Sequence, residues 1–223
     1  RLTMKVEDSR TNEIHSYGLD EVNRELFLHG YFSNEEEELG VEYRMATTFV
    51  KNLRILDLDS SKNILIHMHT IGGSWHDGMA IYNSIQFSKS HITNLAYASA
   101  SSMSSVIIQA ADLRLAMPDT EFLIHFGTLS LENHSLAAVS AVENEKRLNT
   151  RLLDIYTNRC ISGEFFKKQY KSLTPDKVKS YIAKKLKSKV DWYLSAEEAV
   201  FYGFADGVIG EKGYENIDKI RPK

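Results

Sequence analysis

Cysteine occurs once in the 223 residues, at Cys160, so no disulfide can form within the chain. Proline occurs three times, which suits a chain rich in helix. Neither sign of charge dominates: 27 Lys and Arg stand against 30 Asp and Glu, for a net charge of −3. That balance offers no broad basic surface for nucleic acid or for an acidic membrane. No apolar run approaches the ~20 residues of a membrane span. The stretch from Arg1 to Arg10 is polar, without the apolar core of a signal peptide. The single cysteine leaves the redox compartment open, and a reducing cytoplasm is the default expectation. Internal repeats and low-complexity tracts are also missing. What is present is an ordinary globular composition, 43% hydrophobic and 26% charged, in a length that suits one well-buried domain over residues 1–223.

Short apolar runs alternate with amphipathic ones. Glu25–His29, Asn63–His69, Ile92–Ala98, Leu113–Met117 and Phe122–Ile124 read as strands. Glu42–Leu56, Gly78–Phe87 and Ser102–Ala111 read as helices between them. The alternation predicts βαβ units and a largely parallel sheet. The acidic run Glu35–Glu38 reads as a solvated loop or a helix start. Beyond Ser135 a long helix is predicted to Tyr156, with Leu136, Val139, Val142, Leu148, Leu152 and Ile155 along its apolar stripe. Thr174-Pro175 opens another helix, and Ser195-Ala-Glu-Glu198 is a capping-box signature for a last short one. Asp206–Ile209 reads as a closing strand.

Three segments carry chemistry. Gly72-Gly73 lies between a strand and a helix, where the backbone can approach a ligand and present N–H groups; a tight turn is the plainer reading. Ala98–Ser105 is small and hydroxyl-rich, and a serine at such a strand-to-helix junction is exposed near the positive end of a helix dipole. A small-residue N-cap cluster is its alternative. His125 ends a short apolar strand and is a general-base candidate if a serine stands on a neighbouring strand end.

The order of these segments resembles the Clp protease proteolytic subunit family. Thr70-Ile-Gly-Gly-Ser-Trp-His-Asp-Gly-Met-Ala-Ile-Tyr82 resembles the family's paired glycines and Gly-Met-x-Ile-Tyr stretch. Ala100-Ser-Ser-Met103 is similar to its nucleophile motif, Met117-Pro118 through His125 to its Leu-Pro to Met-Ile-His stretch, and Asp191-Trp-Tyr-Leu-Ser-Ala-Glu-Glu-Ala199 to the segment with the triad aspartate. The resemblance runs from about Glu25 to Ile209. It implies an α/β fold, the repeated ββα superhelix shared with crotonases, with a helix–strand handle protruding over residues 130–190. It implies Ser102 as nucleophile, His125 as base and Asp191 as the residue orienting the base. The backbone N–H groups of Gly73 and Met103 become the oxyanion donors, with no metal and no cofactor. It further implies a self-associating ring, stacked as heptamers, that receives unfolded polypeptide from an AAA+ ATPase. That partner would dock at a groove holding Leu65, Phe87 and Leu115, and residues 1–18 would form axial loops.

The chain departs from the pattern in places. Ile71 replaces the proline before the glycines, and Ala98 and Ser104 replace glycines around the nucleophile. Phe126-Gly127 follows the histidine where Gln-Pro is common, Lys189-Val190 replaces an acid–Arg pair, and His67 replaces an aromatic of the docking groove. The segment between His125 and Asp191 is longer, with Lys184–Lys189 inside it. Such variation resembles divergent Clp subunits, including those of bacteriophages. Altered activity and a specialised partner are therefore expected. Three other readings stand beside this one: a crotonase-like acyl-CoA enzyme, a non-catalytic ring subunit, and a metal site at His67, His69, His76 and Asp77.

Overall fold

The computed structural model describes residues 6–30, 39–128 and 135–222. The Glu35–Glu38 run and the starts of the axial and handle segments lie outside them. In chain order come α1 (Val6–Tyr17), β1 (Leu19–Asp20), β2 (Glu25–His29), α2 (Tyr43–Asp59), β3 (Ile64–Thr70), α3 (Trp75–Gln86), β4 (Ile92–Ser101) and α4 (Met103–Ile107). Then follow β5 (Leu113–Ala116), β6 (Glu121–Ile124), α5 (Ser135–Cys160), α6 (Glu164–Gln169), α7 (Pro175–Lys189), β7 (Trp192–Leu194), α8 (Ala196–Tyr202) and β8 (Gly207–Val208). A 3₁₀ turn at Ile217–Lys219 closes the chain.

Strands run β1-β2-β3-β4-β5-β8 across the sheet, parallel except for the antiparallel β1. β6 pairs in parallel with the end of β4, and β7 pairs antiparallel with β6. The parallel core is the one predicted from the βαβ order. Both faces of its strands are covered, so residues alternate between two apolar clusters rather than between core and water. Ile64, Ile66 and Met68 face the helices, while Leu65 joins Leu95, Leu115 and Ile209 on the other face. Tyr214, Ile217 and Ile220 of the C-terminal segment pack onto that second cluster.

Local signals set the helix ends. Glu42 caps α2, its carboxylate accepting from Arg44 N and Met45 N. α3 begins three residues before the predicted Gly78 because Ser74 is its cap and accepts from Asp77 N. Thr174 and Pro175 open α7 as expected, and Ser195 with Glu198 forms the reciprocal capping box of α8. α5 runs four residues beyond Tyr156, to Cys160. Its last turns bury Leu152, Ile155, Tyr156 and Cys160, whereas Leu136, Val139 and Val142 near its start are exposed. Cys160 is fully buried and its thiol is pushed up by that burial. α6 and β7 were not apparent from the sequence pattern.

Arg114 ties the C-terminal third to the sheet. Its guanidinium pairs with Asp206 and reaches Gln109 Oε1 at 2.8 Å and the Gly203 carbonyl at 2.7 Å. No helix among the described residues is long and apolar enough to cross a membrane.

Candidate active site

Strand pairing assembles the site. β4 pairs with β5 over Thr93–Ala96, then turns to β6 over Ser99–Ser101. It ends at Ser102, whose φ of 52° and ψ of −123° turn the chain into α4. Such a φ is unusual for a residue with a side chain and stores strain of ~1–3 kcal/mol. It also lifts the Ser102 side chain out at the strand end. Ser102 N donates to Leu123 O at 2.9 Å, which fixes this turn beside the end of β6. On the other side Ile124 pairs with Trp192 across the antiparallel β6–β7 ladder. The next residue outward on each strand, His125 and Asp191, therefore meet.

His125 Nε2 lies 2.7 Å from Ser102 Oγ, and its Nδ1 lies 3.1 Å from Asp191 Oδ1. With Nδ1–H donating to the carboxylate, Nε2 is free to accept the serine proton. The imidazole side chain is 21% exposed and the Asp191 side chain 47%. Asp191 follows a tight turn at Val190 (φ 65°, ψ −66°), closed by Asp191 N donating to Lys189 O at 2.8 Å.

The paired glycines lie against this turn. At Gly72, with φ of 93°, an added Cβ would come within 2.5 Å of Ser101 O and 2.7 Å of Met103 N. Only hydrogen fits there. Val41 N donates to Gly72 O at 2.7 Å, and Ser74 N donates to Val41 O at 2.8 Å. Between these bonds, the Gly73 N–H has no backbone acceptor among the described residues. Met103 opens α4, so its N–H has no intrahelical partner either. Both residues line the cavity that holds Ser102 and His125.

The neighbouring serines are committed elsewhere. Ser99 Oγ and Ser101 Oγ are 2.8 Å apart. Ser104 Oγ lies 2.8 Å from Thr70 O and 2.6 Å from Ser101 O, so the hydroxymethyl that replaces a glycine is absorbed as a brace under the turn. Ser105 Oγ donates to Ser102 O at 2.5 Å and lies 2.8 Å from Tyr156 Oη. Burial pushes the Tyr156 phenol up, which keeps it a hydroxyl.

The residues assigned to the docking groove differ in exposure. Phe87 is 89% exposed at the end of α3, whereas Leu65 and Leu115 are fully buried in the cluster that the C-terminal segment covers. His67 lies beside them, its Nε2 2.9 Å from Glu25 Oε2 and its Nδ1 2.8 Å from Tyr97 Oη, stacked on Phe27. Both ring nitrogens are thus engaged, which leaves His67 no lone pair for a metal. Among the described residues no three His, Cys, Asp or Glu side chains are grouped to hold one.

The cavity at Ser102 has a volume of about 330 Å³. It extends under α5 to Glu145, Leu148, Asn149 and Leu152. Sequence reasoning placed Leu148 and Leu152 on the helix stripe and missed Glu145 and Asn149. Their position depends on how α5 crosses the site, which periodicity does not give.

A hydroxyl, an imidazole and a carboxylate in a hydrogen-bonded row beside two backbone N–H groups without an acceptor among the described residues form a site capable of acyl transfer. The family model of Clp protease matches residues 38–212, so the chain belongs to the Clp protease family, and with it to the peptidases. It is 32% identical over 170 residues to the ATP-dependent Clp protease proteolytic subunit 3 of Synechococcus sp. (strain CC9902), covering 74% of this chain and 76% of that one. Identity to the ATP-dependent Clp protease proteolytic subunit of Deinococcus radiodurans is 26% over 174 residues, 77% of each chain. Among solved structures, a ClpP1 mutant from Listeria monocytogenes superposes with a TM-score of 0.69 at 20% identity, covering 90% of this chain and 96% of that one. The fold is therefore the α/β fold that the resemblance implied.

Proposed function

We propose that this chain is a serine endopeptidase subunit of a Clp-type ATP-dependent protease. The observation that carries the reading is the position of His125, 2.7 Å from Ser102 Oγ on one side and 3.1 Å from Asp191 on the other. Ser102 attacks the peptide carbonyl as His125 takes its proton. Asp191 holds the imidazole tautomer and stabilises the imidazolium, and His125 then returns the proton to the departing amine. The oxyanion accepts from Gly73 N–H and Met103 N–H. Water repeats the attack on the acyl-enzyme and releases the acid.

The single domain works in a self-associating ring, stacked as heptamers, with residues 1–18 as the axial segment and residues 130–190 as the handle. Exposed Leu136, Val139 and Val142 on α5 support association, since an isolated subunit leaves them in water. Unfolded polypeptide arrives from an AAA+ unfoldase of the Clp type. Phe87 is open to that partner, whereas Leu65 and Leu115 lie under the C-terminal segment.

Fluorophosphonate labelling tests the reading. One adduct is expected, on Ser102, and Ser102→Ala abolishes both the adduct and peptide hydrolysis. An adduct elsewhere, or equal hydrolysis by Ser102→Ala, defeats it.

A further inference from the structure

The cavity beside Ser102 combines apolar side chains with polar ones and is acidic at one point. Trp75, Val106, Leu148 and Leu152 line it, with Glu145 one turn before Leu148 on α5 and Asn149 next to Leu148. Glu145 is half-buried and projects to Gly127, where an added Cβ would lie 2.8 Å from its Oε1. Glycine at 127, two residues after the base, leaves room for that carboxylate. The cavity lining holds no lysine or arginine, and Glu145 has no ion pair or hydrogen-bond partner among the described residues. A carboxylate half-removed from water with no counter-charge favours a cation brought to it.

We infer that Glu145 is a specificity residue and that the cavity takes a basic side chain, lysine or arginine, from the residue whose carbonyl Ser102 attacks. The inference rests on the serine-peptidase reading of the same site. A substrate carbonyl directed to Gly73 and Met103 leaves its own side chain at the mouth of this cavity. The methylene stem of lysine or arginine lies along Trp75, Val106 and Leu152, and the charged head reaches Glu145, with the Asn149 carbonyl as a second acceptor. Long basic side chains divide in this way between apolar and polar surroundings. An acidic side chain would meet repulsion in the same space, and an aliphatic one would leave the half-buried Glu145 without a partner.

The test uses the full chain and three fluorogenic peptides that differ only in lysine, leucine or glutamate before the scissile bond. The kcat/KM for the lysine peptide is expected to exceed that for leucine by about tenfold, the factor of one partly desolvated charge pair. Glu145→Gln should lower the lysine-to-leucine ratio by about the same factor. Glu145→Lys should invert the order of the lysine and glutamate peptides. If turnover is slow, the relative rates at which aminoalkyl and alkyl phosphonates label Ser102 read the same ratio. Ratios unmoved by both substitutions, while Ser102→Ala abolishes hydrolysis, overturn the inference and leave the peptidase reading intact. Hydrolysis or labelling that survives Ser102→Ala overturns both.

Discussion

Nε of Arg221 lies 2.6 Å from Oε1 of Glu25, a contact between residues 196 positions apart. It holds the C-terminal segment over the cluster that contains Leu65 and Leu115. Arg221→Ala is expected to release residues 214–222, seen as lost amide protection there, with protection in the central strands kept. Removing the segment bares Leu65 and Leu115 and should raise binding of an apolar dye. Burial opposes ionisation of Glu25, yet hydrogen bonds from His67 and Arg221 outweigh it and hold the carboxyl below its ordinary value. A carboxyl lowered by folding contributes stability above its ordinary value of 4.5, and that stability is lost as pH falls through the lower folded one. The segment should therefore stay in place at neutral pH and loosen in acid below 4.5, as hydrogen exchange across pH would record.

Gly72 has no room for a side chain against Ser101 O and Met103 N, and its φ of 93° disfavours one as well. Gly72→Ala should displace the Met103 N–H from the cavity. Loss of one such donor typically costs ~10²–10³ in rate. The expected result is a fall of that order in the fluorophosphonate labelling rate, with a smaller loss of thermal stability.

Val190 has a φ of 65° and is 70% exposed. A β-branched residue there is strained by ~1–3 kcal/mol, more than the ~0.5–1 kcal/mol that glycine adds in unfolded-chain entropy. Val190→Gly is expected to stabilise the fold by ~1 kcal/mol, measurable as a raised midpoint in urea.

Arg114 is buried and spends its guanidinium on Asp206, Gln109 and Gly203. Arg114→Ala removes the guanidinium from Gln109 and Gly203 and leaves Asp206 only the backbone N–H of residue 114, and breaking a buried pair from one side costs ~3–5 kcal/mol. Chemical denaturation should show that loss. Lysine at 114 should recover little of it, because one ammonium cannot reach the same forked set.

Much of the fold was legible because its elements are local. Apolar periodicity gave the strands from β2 to β6 and the helices α2 and α5, and capping residues gave the starts of α7 and α8. β7 was not legible: three residues with buried Trp192 and Leu194 around exposed Tyr193 carry too little pattern, and their partner β6 lies far away in the chain. At the site, composition alone left five serines between Ala98 and Met117 open to choice, and the resemblance selected Ser102. The structure adds a physical reason, since the hydroxyls of Ser104 and Ser105 are held by Thr70, Ser101, Ser102 and Tyr156. Glu145 escaped notice because a glutamate on a long helix reads as solvated until the helix is laid across the cavity.

The ladder joining β6 to β7 has only three rungs, Phe122 with Leu194, Leu123 with Tyr193 and Ile124 with Trp192. Side chains alternate along a strand, so a slip of one position would swing Asp191 to the opposite face and offer His125 the side chain of Val190 or Trp192. No intermediate alignment exists in which the carboxylate is merely a little displaced. Displacements along this strand would divide a population of molecules into competent and silent ones, and a partial loss of activity would then count molecules rather than grade each of them.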